Sequence, residues 1–97
     1  HFAIAESRAR RERFEASVAE IEGDDNRLFR ERERLVRALE GRRSDLRTYE
    51  NNLGFLSSKS KSGNSLLRDL ERRIERIKAD ISELEEKIAL LDGKIGG

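Results

Sequence analysis

From Leu67 onward the apolar residues fall at Leu67, Leu70, Ile74, Ile77, Ile81, Leu84, Ile88, Leu91 and Ile95, with spacings that alternate three and four without an error. That is the seam of a heptad helix, whose a and d positions face a partner helix. With Leu67 at a, the flanking e and g sites hold Glu71, Arg73, Lys78, Asp80, Glu85 and Lys87, a charged border of the kind that selects partner and orientation. The pattern predicts a helix from about Ser65 to about Asp92. A second seam runs through Leu28, Leu35, Leu39, Leu46, Tyr49 and Leu53, with Asp25, Arg32 and Arg42 at polar sites of the same frame. This helix is predicted to stop at Leu53. Gly54 can take the left-handed conformation after the cap, and Phe55 can fold back on the last turn. The Ser, Gly and Asn content that follows marks a tip loop at about 54–64, with Asn64 or Ser65 as the N-cap beyond it.

Two heptad helices joined by a short loop pair antiparallel. Two registers, one heptad apart, bring the seams together. In one, Tyr49 faces Leu67 and Leu39 faces Ile77; in the other, Tyr49 faces Ile74 and Leu39 faces Leu84. Either gives an arm of roughly 40 Å at 1.5 Å per residue. Residues 3–22 form a weaker helical pattern through Ala9, Phe14, Val18 and Ile21, interrupted by Gly23-Asp24-Asp25-Asn26. That stretch joins a flexible Gly to two candidate N-caps, so a helix break is the expectation. The second helix also carries Phe29, Val36 and Ala38 beside its seam, an apolar face wider than a two-stranded coil requires. If the chain turns at Gly23, the first helix is the expected cover. If it runs straight, a second copy is. The predicted fold is therefore all-α: an N-terminal helix within residues 1–24, packed at the base of an antiparallel coiled-coil hairpin spanning 25–97.

Composition narrows the function classes. Of 97 residues 42% are charged, with Lys+Arg 21 against Asp+Glu 20, and there is no Cys, Met, Pro or Trp. Disulfides, thiolate metal sites and thiol nucleophiles are excluded. The lack of Met suggests a piece of a longer protein, and the terminal His1 a tag remnant. No apolar run is longer than the four residues of Phe2 to Ala5, too short for a membrane span or a signal peptide, so a cytoplasmic protein without membrane contact is expected. The only His is His1, which leaves no base for a nucleophilic triad. Carboxylates such as Glu83, Glu85 and Glu86 are plentiful, but a helical coil offers no desolvated pocket to raise a pKa. Their expected role is a solvated face. No cofactor is implied, no metal loop is present, and a non-catalytic protein follows.

Binding is the remaining class. Arg8, Arg10, Arg11 and Arg13 cluster near the N-terminus. Lys59 and Lys61 lie at the tip, with Arg68, Arg72 and Arg76 stacked behind them, and such groups bind phosphate backbones irrespective of sequence. Acids are interleaved throughout, with 12 basic and 12 acidic residues in 1–50, then 9 and 8 in 51–97. An RNA- or ribosome-binding arm is accordingly the alternative reading. The favoured partner is another protein, docked by helix packing against Phe29 and Val36 or against Phe55 and Leu56, with a homodimer expected. Arg32 and Arg42 at seam sites either snorkel toward a carboxylate of the facing helix or fix register at some cost in stability.

The runs Arg30-Glu31-Arg32-Glu33-Arg34-Leu35, Thr48-Tyr49-Glu50-Asn51-Asn52-Leu53-Gly54-Phe55-Leu56 and Gly63-Asn64-Ser65-Leu66-Leu67 carry a resemblance. Over roughly residues 7–95 the chain resembles the C-terminal segment of large bacterial proteins built from repeats of a helical domain of unknown function, number 349. The Tyr-Glu-Asn-Asn-Leu-Gly-Phe stretch is its most specific part. The resemblance implies an all-helical cytoplasmic protein and a fragment of a longer chain. It supplies no catalytic residues.

Overall fold

The structure, a computed structural model, describes residues 2–59 and 65–95, and the side chains of 5–57 and 65–95 within them. Three helices make up these residues: α1 (Phe2–Ile21), α2 (Asp25–Lys59) and α3 (Ser65–Lys94). They form an elongated body of 56 × 29 × 14 Å.

The break between α1 and α2 follows from local chemistry. Gly23 has φ +95°, the left-handed conformation that ends a helix. Asp24 then starts the next one: its Oδ1 accepts from the Arg27 backbone N–H at 3.2 Å, while its carbonyl accepts from Leu28 N–H at 3.0 Å. One side chain thereby satisfies a donor that the first turn of α2 would otherwise leave unpaired. The expected break is present, and α1 turns back instead of prolonging α2.

Two cross-helix ion pairs identify the hairpin register. Arg32 on α2 bonds Asp92 on α3, and Arg42 lies 3.9 Å from Asp80. These pairs select the register in which Tyr49 is level with Ile74 and Leu39 with Leu84; the other would offset Arg32 from Asp92 by two helical turns. The selected register also puts Leu56 level with Leu67 and Leu53 with Leu70. It explains a correction to the predicted tip. α2 does not stop at Leu53 with Gly54 as a left-handed cap, but stays helical through Gly54 to Lys59. Continuing brings the half-buried Leu56 into the seam, which stabilises by roughly 1.5 to 3 kcal/mol when complete. A helical Gly costs only about 0.5 to 1 kcal/mol. The loop expected at 54–64 thus begins no earlier than residue 60, and Asn64 as an N-cap lies outside the described residues.

The core is densest at the base, where Val18 of α1, Leu28 and Leu35 of α2 and Leu91 of α3 are buried together. Phe14, Ile21, Leu84, Ile88, Leu90 and Ile95 pack around them. A second stretch of seam, Leu39, Leu70, Ile74 and Ile77, is buried farther along the hairpin. No polar or charged residue is buried among the described residues.

Candidate interaction surface

Any surface on this molecule is defined by the flank that α1 occupies. Arg10 pairs with Glu83 at 3.3 Å, Arg11 with Glu86 at 3.1 Å and Glu22 with Lys94 at 3.1 Å. Residue numbers rise together on both helices, so α1 runs parallel to α3 and antiparallel to α2. It lies along the edge formed by g positions, where Glu31 and Ala38 of α2 meet Asp80, Lys87 and Lys94 of α3. Lys87 ties the three helices together. Its Nζ sits 5.1 Å from the centroid of the Phe14 ring and 3.6 Å from Glu83, and its charge also acts on Glu31. The hydrogen bond from Arg34 holds the Glu31 carboxyl below its usual range, with the charges of Arg34 and Lys87 acting in the same direction against partial burial. Between α1 and α3 lies an open groove of about 780 Å³, lined by Phe14, Ala79 and Leu90 among others and bordered by the Arg10 and Arg11 ion pairs.

This placement corrects the expectation that α1 covers Phe29, Val36 and Ala38. Phe29 is 51% exposed, Ala38 is exposed and Val36 is half-buried. The reason is geometric. Phe29 and Val36 occupy e positions on the edge of the hairpin opposite α1, whereas α1 follows the edge where α3 offers Leu90 beside Leu91. Leu90 is the signal that the seam pattern passes over: a leucine outside a and d, marking the flank where a third helix packs.

The other anticipated partner residues separate. Phe55 is 64% exposed on α2, but Leu56 belongs to the seam and is half-buried. Among the basic candidates, Lys59 ends α2 with its side chain outside the described set, as is the whole of Lys61. Arg68, Arg72 and Arg76 are exposed on α3. Arg72 lies 3.9 Å from Asp69 and Arg76 lies 3.4 Å from Asp80, so two of the three guanidiniums face carboxylates of their own helix. Glu83, Glu85 and Glu86 each face an arginine on another helix: Arg10, Arg43 and Arg11. Arg32 and Arg42 snorkel, with stems at the seam and guanidiniums at Asp92, Asp45 and Asp80. Among the described residues no cluster of three His, Cys, Asp or Glu could hold a metal ion, and no helix is long and apolar enough to cross a membrane.

No protein-family model, curated protein or solved structure matches this chain.

Proposed function

We propose that this chain is a non-catalytic helix-packing module that docks another helix on the open edge of α2, and that it acts as the C-terminal interaction arm of a larger bacterial cytoplasmic protein. The resemblance to the repeat proteins of domain 349 supports the second half of that reading. One observation carries the first half: α1 closes one edge of the hairpin while the opposite edge leaves Phe29 more than half exposed beside Val36. Large apolar side chains on a rigid helix, next to exposed charges, are the anchors of helix-on-helix recognition.

A photo-crosslinking amino acid at position 29 tests this in cells. It should give one discrete adduct that the same residue at Arg72, on α3, does not give. Equal labelling at the two positions would contradict the reading. So would RNA binding by the purified protein that weakens steeply with added salt, which would instead favour the basic face at Arg68, Arg72 and Arg76.

A further inference from the structure

The open edge of α2 carries a charge pattern that points to its occupant. Over residues 29–47 its e and b positions present Phe29, Glu33, Val36, Glu40, Arg43 and Arg47, all exposed except the half-buried Val36. Acids precede bases. Two copies of such an edge, laid antiparallel about a two-fold axis, bring the acidic half of each against the basic half of the other. Packing e against b allows registers one heptad apart. In the central one Glu33 meets Arg43 of the second copy, Phe29 meets Arg47, Val36 meets Glu40, and each contact occurs twice. Slipping one heptad toward the tip pairs Glu40 with Arg43 but opposes Glu33 to Glu50, so each attraction is offset by a repulsion. Slipping the other way faces Glu33 with Val36 and Glu40 with Phe29, and forms no charge pair between these six residues. One register is thus singled out by charge, and it sits on the edge that α1 leaves free. Glu33, Glu40 and Arg47 make no ion pair within the chain among the described residues, while Arg43 reaches Glu85 at 3.2 Å.

Resting on the helix-packing reading above, we infer that the occupant of this edge is a second copy of the chain, held antiparallel along α2 through reciprocal Glu33–Arg43 pairs and Phe29–Arg47 stacking. The contact is narrow and polar, with two apolar side chains per copy. It forms a reversible dimer of the weak class, in which charge sets register and specificity more than affinity. Phe29 packs its ring against the guanidinium of Arg47, a contact strengthened when the pair loses water.

Sedimentation equilibrium of the full chain from micromolar to millimolar protein, at low and high salt, tests the inference. A monomer–dimer equilibrium that weakens with salt is expected. Glu33→Arg or Arg43→Glu should each weaken the dimer at least about tenfold, because each turns two attractions into two repulsions. The double variant should regain most of the loss, because the contact is reciprocal and the exchange rebuilds both pairs. Phe29→Ser should weaken the dimer while leaving the melting curve of the dilute monomer unchanged, which separates lost contact from lost fold. A monomer at every concentration, a dimer indifferent to both single charge reversals, or a double variant no better than the singles would overturn the inference. If the chain stays monomeric while the residue-29 crosslink still yields its discrete adduct, the second copy is ruled out and the helix-packing reading stands. Absence of that adduct removes the helix-packing reading itself.

Discussion

Gly23 and Gly54 look alike in the sequence, each coming just after an apolar residue of a helical pattern, yet they do opposite things. Gly23 holds φ +95°, where a Cβ is strained, whereas Gly54 is helical with nothing within 4 Å of where a Cβ would stand. Replacing Gly54 with Ala should therefore raise stability by about 1 kcal/mol, and replacing Gly23 with Ala should lower it by about that much. Urea denaturation of the two variants checks the contrast, and equal signs would contradict it. Glu31 supplies a pH signature at the same scale. Its folded pKa lies below the ordinary value of 4.5, so its contribution is present above the unfolded pKa and is lost as pH falls through the folded one. Glu31→Gln should lower the melting temperature near neutral pH, and the gap between the two proteins should close in acid. A gap of constant size from neutral pH into acid would show that Glu31 acts through shape and not through charge.

At the scale of the helix, the periodicity of α3 was wholly legible, because an amphipathic helix buried on one side cannot place its apolar residues elsewhere. The end of α2 was not. Local signals at Asn52-Leu53-Gly54-Phe55 spell a cap, but a seam layer two residues beyond outweighs them, and only the register shows that Leu56 has a partner to meet. Register also reorders the seam sites by sensitivity. Ile81 is half-buried and level with Arg42, so an Asp there meets a guanidinium; Ile77 is 4% exposed and level with Leu46. Ile77→Asp should abolish the cooperative thermal transition seen by circular dichroism, since it buries an unpaired charge. Ile81→Asp should cost distinctly less, and Glu86→Ala, at an exposed ion pair, under about 1 kcal/mol. If Ile81→Asp proved as damaging as Ile77→Asp, Arg42 would not be level with position 81.

Across the whole molecule, what organises the surface is the choice of edge made by α1. The break at Gly23 and the fold-back were readable from turn chemistry, but the flank was not, because Phe29 and Val36 suggested one edge while Leu90 and Lys87 determine the other. A sequence pattern counts apolar residues beside a seam; it does not say which of two edges a returning helix will take. Three helices at the base and two toward the tip leave an arm whose free edge carries charges of both signs and few large apolar side chains. Surface of that kind suits selective, reversible contact better than permanent assembly.

The fold-back of α1 onto α3 is the claim on which the open edge depends, and one distance tests it. The chain has no Cys, so spin labels can be placed uniquely at Ser7 and Ser82, which line the same groove between α1 and α3. Pulsed electron–electron spectroscopy on labelled protein diluted into unlabelled protein should give one narrow distribution at the short end of the accessible range. A straight α1–α2 helix would set residue 7 apart from the level of residue 82 by roughly 50 Å at 1.5 Å per residue. A distribution centred there, or a short distance that vanishes on dilution with unlabelled chain, would contradict the fold-back within one molecule.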